Sequence, residues 1–303
     1  MKKTLLVVAA LIATQAMAQE AFTVSTGDAK GGSTYSKMFR ELAAVCSKDV
    51  QLAEVESKGS LQNMDNLTSN KVNAAIVQSD FLSFTKATDP AKVANIKTLV
   101  TLYPEELHFI ARGDVKKEGG YLGGLIGGKD VQFKSIADLA GRQVGAVGGS
   151  VLSGRVVAAQ SGLNFQIVEF PDNNTLKDAL LTGKVDTILV VGGAPHALVG
   201  SLDQRFRLLA VSPEIQKKVS GVYSATKLSY SNLNQAGIDA LTTQSQIVTR
   251  TYRSPAMINQ LTKFRTCFTR EVPNLQDKTG SAPKWQLVDI NDQGKWEYYQ
   301  LGK

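Results

Sequence analysis

Apolar residues along the chain recur with two different periods, and the way the periods take turns predicts the architecture. Residues 22–26 (FTVST) alternate between apolar and polar as far as Ser25, as a half-buried strand does. Tyr35, Met38, Phe39, Leu42 and Cys46 then recur at three- and four-residue spacing, one face of a helix. Between them lies GDAKGGST at 27–34, which puts Ser33 or Thr34 at the helix N-cap. The unit repeats. A strand over 50–57 precedes a helix carrying Leu61, Met64 and Leu67, capped by Gly59 and Ser60, and a strand over 72–77 precedes a helix from 81 to 86. Two separate strands, 96–102 and 107–111, flank the Tyr103-Pro104-Glu105 step, and 119–128 reads as a glycine-rich hairpin or flap. Ser135 caps a short helix, a strand over 143–147 leads into a helix through Ala159, and another over 165–170 leads into a helix at 175–181. The β-branched run 185–191 reads as a strand buried on both faces. A strand at 244–248, a helix at 255–269 and a tail or edge hairpin at 285–296 complete the expectation. Such alternation predicts an α/β protein with open, largely parallel sheets.

The first eighteen residues fall outside this pattern. A Lys2-Lys3 start, an apolar run over 5–13 and Ala16-Met17-Ala18 read as a cleaved secretory leader, too short in its apolar part to span a bilayer. The expected compartment is the periplasm. The rest of the 303-residue chain, with 43% apolar and 20% charged residues overall, has an ordinary globular composition and room for two lobes. Removing Lys2 and Lys3 takes the formal charge from +7 to +5. The cations are scattered and not interleaved with aromatics, so no nucleic-acid partner is expected. Cys46 and Cys267 are either one disulfide or two buried thiols.

Familiar chemical motifs fail on their surroundings. GGLIGGK at 123–129 has the spacing of a phosphate loop, but Asp130 stands where a magnesium-binding hydroxyl is required. Ser224-Ala-Thr-Lys227 and Lys278-Thr-Gly280 mimic elements of penicillin-recognising enzymes without room for the helix that must carry the serine. His108 reads as a packed core or hinge histidine, and His196 is a weak ligand-contact candidate; neither has metal-ligand spacing around it. No metal, cofactor or catalytic residue is expected.

Four strand ends instead share one chemistry: GGST at 31–34, VQSD at 77–80, VGGS at 147–150 and VGGAP at 191–195. Glycine turns before helix starts expose backbone N–H groups at the positive end of a helix dipole, which suits an anion. In open α/β sheets ligands bind beyond the carboxyl ends of strands, so four such ends predict a binding cleft.

Six stretches together resemble the TAXI solute-binding proteins of TRAP transporters: GGSTYSKMFR (31–40), KGSLQNMDNL (58–67), VNAAIVQSD (72–80), LYPEELHFIARGD (102–114), SIADLAGRQVGAVGG (135–149) and DALLTGKVDTILVVGGAP (178–195). The resemblance covers about 22–200 and fades after 231. It implies a type II periplasmic binding protein, with two open α/β lobes, a ligand cleft between them and two crossovers. Lobe one would be 19–106 plus 228–303, and lobe two 107–227. Both cysteines then fall in lobe one, which favours the Cys46–Cys267 disulfide. A monomer would capture a small anionic ligand, such as glutamate or another carboxylate, and pass it to TRAP-type permease subunits. Gly32, Ser33, Thr34 and Ser60 would hold one end of the ligand, with Gln78 and Ser79 from the same lobe. Ser150, Ser153, Gly192 and Gly193 would complete the site on closure. Arg155 is either a bidentate carboxylate clamp or a solvated helix arginine, and Asp80 is expected to cap the next helix. The first turn departs from the family pattern by Asp28-Ala29-Lys30, and the turn GGSVLSG at 148–154 lacks the usual glycine-serine-glycine-threonine order. A stand-alone periplasmic sensor signalling to a membrane kinase, or an enzyme on the same fold, are the alternative functions.

Overall fold

A computed structural model describes residues 21–30, 32–119 and 127–301. The expected leader at 1–18 and the centre of the glycine-rich loop lie outside the described residues. The chain opens with β1 (Phe22–Ser25), α1 (Thr34–Cys46), β2 (Leu52–Val55), α2 (Ser60–Thr68), β3 (Ala74–Gln78), α3 (Ser79–Thr88) and α4 (Pro90–Val93). The long strand β4 (Ile96–Arg112) then carries it into a second unit. This unit holds β5 (Lys116–Glu118), β6 (Lys129–Val131), β7 (Gln143–Ala146), α5 (Gly149–Ser161), β8 (Gln166–Glu169), α6 (Asn173–Leu181), β9 (Thr187–Gly192), α7 (Ala197–Gly200), β10 (Phe206–Leu208) and α8 (Pro213–Val219). β11 (Ser224–Tyr230) turns into β12 (Gln235–Arg250), which returns to the first unit and α9 (Pro255–Asp277).

Two parallel blocks result. β1 pairs with β2 and β3 in one, and β7 pairs with β8 and β9 in the other. β12 and β4 lie between them, antiparallel to each other and to their neighbours, giving the order β2-β1-β3-β12-β4-β9-β7-β8. The protein is therefore two α/β lobes joined by two strands that cross from one to the other. Each block is covered on both faces, as parallel sheets require. In lobe one, α1 and α9 bury Met38, Phe39, Leu42, Phe264 and Phe268 on one face, and α2 and α3 bury Met64, Leu67 and Leu82 on the other. In lobe two, α5 and α8 bury Val156, Val157, Ile215 and Val219, opposite α6 with Leu176 and Leu180. Leu228, Tyr230, Leu233 and Ala240 join that last cluster with Ile188 and Val190.

Three expected elements differ from the observed ones. The strands at 96–102 and 107–111 are one strand, unbroken by Pro104. Its register partner is Gln244, the β12 register shifts between Gln244 and Gln246, and the Gln244 side-chain amide donates to the Leu102 carbonyl at 3.3 Å. Proline fits a ladder at such an irregularity. The strand expected at 244–248 runs from Gln235 to Arg250, because pairing with β11 and β4 on its two sides outweighs the weak propensity of 235–243. The tail is no hairpin. It makes a 3₁₀ turn at Pro283–Leu287 and then an isolated parallel bridge between Tyr298 and Thr98. Ser224–Lys227 lies in strand β11, so the serine does not start a helix.

Cys46 at the end of α1 and Cys267 in α9 form a disulfide with a Cα–Cα distance of 5.8 Å. It staples lobe one across a separation of 221 residues. Replacing both cysteines by serine should lower stability by about 2–5 kcal/mol, read from urea denaturation. An unchanged midpoint would mean that the staple adds nothing to the lobe-one core.

Candidate functional site

The carboxyl ends of the strands meet across the gap between the lobes. On the lobe-one side the floor is pinned by Asn63, fully buried in α2. Its amide donates to the backbone carbonyls of Thr26 and of Ile76 (2.7 Å), while its oxygen accepts from Ser25 Oγ at 2.6 Å and from Ser57 Oγ. One side chain thus ties the ends of β1 and β3 to the segment after β2. Beside it Ser60 Oγ accepts the Gln78 N–H at 3.2 Å, so α2 and the end of β3 present one surface.

The lobe-two wall is the start of α5. Gly148 takes φ 54° and ψ −126° at the N-cap, a backbone conformation that side chains resist. Ser150 Oγ accepts the Val191 N–H at 2.9 Å and so fastens this helix start to the end of β9. The two walls touch: a Cβ added to Gly149 would stand 2.6 Å from Gln78 Oε1, and one on Gly148 3.5 Å from the Lys58 carbonyl. The lobes are closed upon each other.

At the centre, where β4 crosses, sits Glu105. It is 6% exposed, and it accepts hydrogen bonds from Tyr35 at 2.7 Å and Tyr103 at 3.4 Å. Burial pushes its carboxyl up to about 7, and the charge of Asp80 adds to the rise; the Tyr35, Gln78 and Tyr103 hydrogen bonds oppose it. Next along the strand, Glu106 accepts the Ala194 N–H at 2.7 Å. Burial raises its carboxyl as well, against the pull of that bond and of Lys284. Lys284 arrives from the tail and donates to the Ala194 carbonyl. Its stem lies over Gly193, where a Cβ would come within 2.3 Å of Lys284 Cε. Both polar groups of Ala194 are thus held, one by a carboxylate and one by an ammonium.

Two further networks flank this centre. Asp80, fully buried, accepts from Ser153 Oγ at 2.5 Å and from the Tyr223 hydroxyl at 2.9 Å, both in lobe two. Burial raises its carboxyl and the two hydroxyls pull it back. On the other side, His108 Nδ1 pairs with the Val190 carbonyl at 3.1 Å and Nε2 with the Tyr230 hydroxyl at 2.9 Å, whose oxygen accepts the His196 N–H. The tautomer that satisfies all three carries its proton on Nδ1. Burial, with His196 nearby, pushes His108 down to about 3, a neutral packed histidine.

Ser60, Gln78, Ser79, Ser150, Gly192 and Gly193 therefore line the interlobe surface, and Thr34 is the first residue of α1. Ser79 Oγ is paired with Thr243 Oγ1 at 3.0 Å and accepts the Gln244 N–H, so it braces the crossover. Gly32, with φ 76°, and Ser33, which occupies the N-cap of α1 without a side-chain bond, form the turn before that helix. Two expected roles change. Ser153 lies on the buried face of α5, with its hydroxyl committed to Asp80. Arg155 lies on the opposite, exposed face with Ala159, so it takes the solvated alternative and does not join the cleft. Gln78 holds the N-cap position of α3 without a side-chain bond; Asp80, in the first turn, accepts the Phe81 N–H at 2.8 Å and also bonds across the lobes. His196 caps α7 through Nδ1. Glu105, Glu106, Asn63 and Lys284 had not been assigned. The first two stand in the LYPEE step of a predicted β crossover, where consecutive carboxylates in an apolar strand were the available signal. For Lys284 the sequence carries none. Among the described residues, no three metal-ligating side chains come together, and no helix is long and apolar enough to cross a membrane.

The raised carboxyl has a pH signature. Glu105 holds a proton in the folded protein between its ordinary value, 4.5, and about 7, where the unfolded chain does not. Its contribution to stability is therefore present below that window and lost as pH rises through it. His108 works in the opposite direction, since its folded value lies below 6.5. The difference in melting temperature between wild type and Glu105→Gln isolates the first effect. Wild type should lose stability relative to the variant from about pH 4.5 to above 7; a difference independent of pH would place the carboxyl in water.

Among solved structures, the substrate-binding protein of an amino acid ABC transporter is similar to 88% of this chain over 99% of its own length, with a TM-score of 0.51 and 11% identity. That likeness is one of fold. The GluR0 ligand-binding core in complex with L-glutamate matches 90% of this chain over 100% of its own, at 12% identity and a TM-score of 0.49. An arginine-bound amino acid ABC transporter substrate-binding protein from Streptococcus pneumoniae matches 89% over 97%, at 14% identity and a TM-score of 0.48. The α/β lobes and the paired crossing strands thus share the fold of that substrate-binding protein, and with a family match over residues 26–263 the chain belongs to the NMT1-like family.

Proposed function

We propose that the protein is an extracytoplasmic receptor that closes two lobes over a small amino-acid-like solute and hands it to a membrane permease of the TRAP type. The observation that carries the reading is Glu105, a buried carboxylate at the one point where a crossing strand faces both walls. An isolated buried carboxylate is costly. Phenol donors from Tyr35 and Tyr103 offset part of that cost, and a ligand ammonium would offset more while restoring the charged form. The carboxylate of the same ligand fits the start of α1, a thirteen-residue helix whose N-cap Ser33 makes no side-chain bond. At the start of α5, by contrast, the Ser150 and Val151 N–H groups already bond to the Val147 and Gly148 carbonyls. Of the expected ligands, this arrangement favours an amino acid such as glutamate over a carboxylate without an ammonium: with Asp80, Glu105 and Glu106 at the interface, a bare anion would meet like charges unless Glu105 were protonated.

Closure is the working step. The ligand favours the closed lobes by its differential affinity for them. We take the flexing points to be 103–106 on β4 and 242–245 on β12. The return boundary at 228 moves to this position because 228–240 packs with the lobe-two core. Delivery to a TRAP-type permease rests on the six sequence stretches quoted above, and periplasmic location on the leader at 1–18. Crosslinking to the membrane partner separates delivery from signalling to a kinase.

An amino acid present at a hundred times its dissociation constant should stabilise the protein by about 2.7 kcal/mol, seen as a rise in melting temperature. Gly149→Leu, whose side chain would collide with Gln78 Oε1, should fold and weaken binding at least tenfold. A panel of amino acids and dicarboxylates that shifts nothing would contradict the receptor reading. A Gly149→Leu protein that binds as tightly as wild type would move the site away from the α5 start.

A further inference from the structure

The tail after α9 is fastened to lobe one at both ends and reaches lobe two in between. Trp285 is buried, with its indole N–H donating to Glu41 at 2.7 Å, and Gln276 donates to the Trp285 and Val288 carbonyls at 3.0 and 2.9 Å. Further along, the Trp296 indole donates to the Ile96 carbonyl at 2.9 Å, the Tyr299 N–H donates to Thr98 at 2.8 Å, and Arg265 donates to the Tyr299 carbonyl at 2.8 Å. All of these partners belong to lobe one.

Two lysines leave this path. Lys284 donates to the Ala194 carbonyl after β9 and lies over Gly193, where no side chain could stand without displacing it. Lys295 donates to the Ser220 and Tyr223 carbonyls, at 3.1 and 3.2 Å, just past α8. Both acceptors are in lobe two. They lie toward opposite faces of its sheet, since β9 ends beside the Val190 and Leu198 cluster whereas Tyr223 belongs to the Ile215 and Val219 cluster. One face alone would let lobe two pivot about the tether. Two tethers on opposite faces oppose that rotation.

We propose that the C-terminal segment is a strap that sets lobe closure, with Lys284 and Lys295 as positioning residues for ligand capture. Neither needs to touch the ligand. Each raises the fraction of protein already closed, and apparent affinity scales with that fraction. The proposal rests on the two-lobe receptor reading for its purpose, but its test needs no ligand.

Spin labels at Asp65→Cys and Gln160→Cys, exposed positions on α2 and α5, report the interlobe distance in the unliganded full chain. The strap predicts one dominant short distance in the parent. Lys284→Met or Lys295→Met should add a longer population, at least tenfold above the parent's open fraction, and the double variant should be more open than either. Lys284→Arg should restore the parent distribution, which a general packing loss would not allow. Circular dichroism checks that each variant is folded, and a misfolded Lys284→Met leaves the exposed Lys295→Met to decide the question. Distributions that superimpose on the parent, or a parent already open, would overturn the strap. Absence of any amino acid ligand would count against the receptor reading and leave this result standing.

Discussion

Everything at the interlobe surface depends on the antiparallel pairing of β4 with β12. These two strands begin inside one lobe's sheet and end inside the other's, so each lobe's core holds one end of the same ladder. The pairing fixes which residues can meet at the crossing: Glu105 opposite Thr243, Glu106 opposite Thr242 and Pro104 opposite Gln244. It also fixes a soft point, because proline contributes no N–H and the register shifts just beyond it. Rigid ladders run on both sides of this point. Bending there moves whole lobes and leaves their cores intact.

The chemistry at the crossing follows from desolvation. With the lobes closed, Asp80 and Glu105 lie out of water, and burial is the first cause of the rise in both carboxyls. Hydroxyl donors limit the cost: Ser153 and Tyr223 for Asp80, Tyr35 and Tyr103 for Glu105. Asp80 finds both hydroxyl donors in the opposite lobe, so those two bonds exist only when the lobes meet, whereas its bond from the Phe81 N–H is internal to its own lobe. The closed form therefore contains its own polar contacts before a ligand arrives. In the receptor reading proposed above, a ligand would have to better them, and a group that supplies charge to Glu105 would do so most directly.

Much of this could be read from the chain. Helical spacing from Tyr35 to Cys46 gave α1 with its buried face, and two of the small-residue strand ends, at Gln78 and Gly149, meet where the lobes touch. Those signals are local, written within ten or fifteen residues. What was missed is long-range. The unity of β4 through Pro104 depends on a partner strand 140 positions away in register, and the length of β12 depends on neighbours on both sides. Asn63 looks like any polar residue on an amphipathic helix until three strand ends converge on it. Arg155 left a ligand clamp and a solvated arginine equally open, and helical phase places it with Ala159 on the solvent face. Lys284 lies in a tail without periodicity, and only the folded chain brings it to Ala194.

The most direct measurement is mass spectrometry of small molecules released when the purified protein is denatured. Glu105 beside the start of α1, to which Tyr35 ties it, predicts a released compound that carries both an amine and a carboxylate, and that raises the melting temperature when added back. A ligand that restores the shift but has no cationic group would contradict the role given to Glu105.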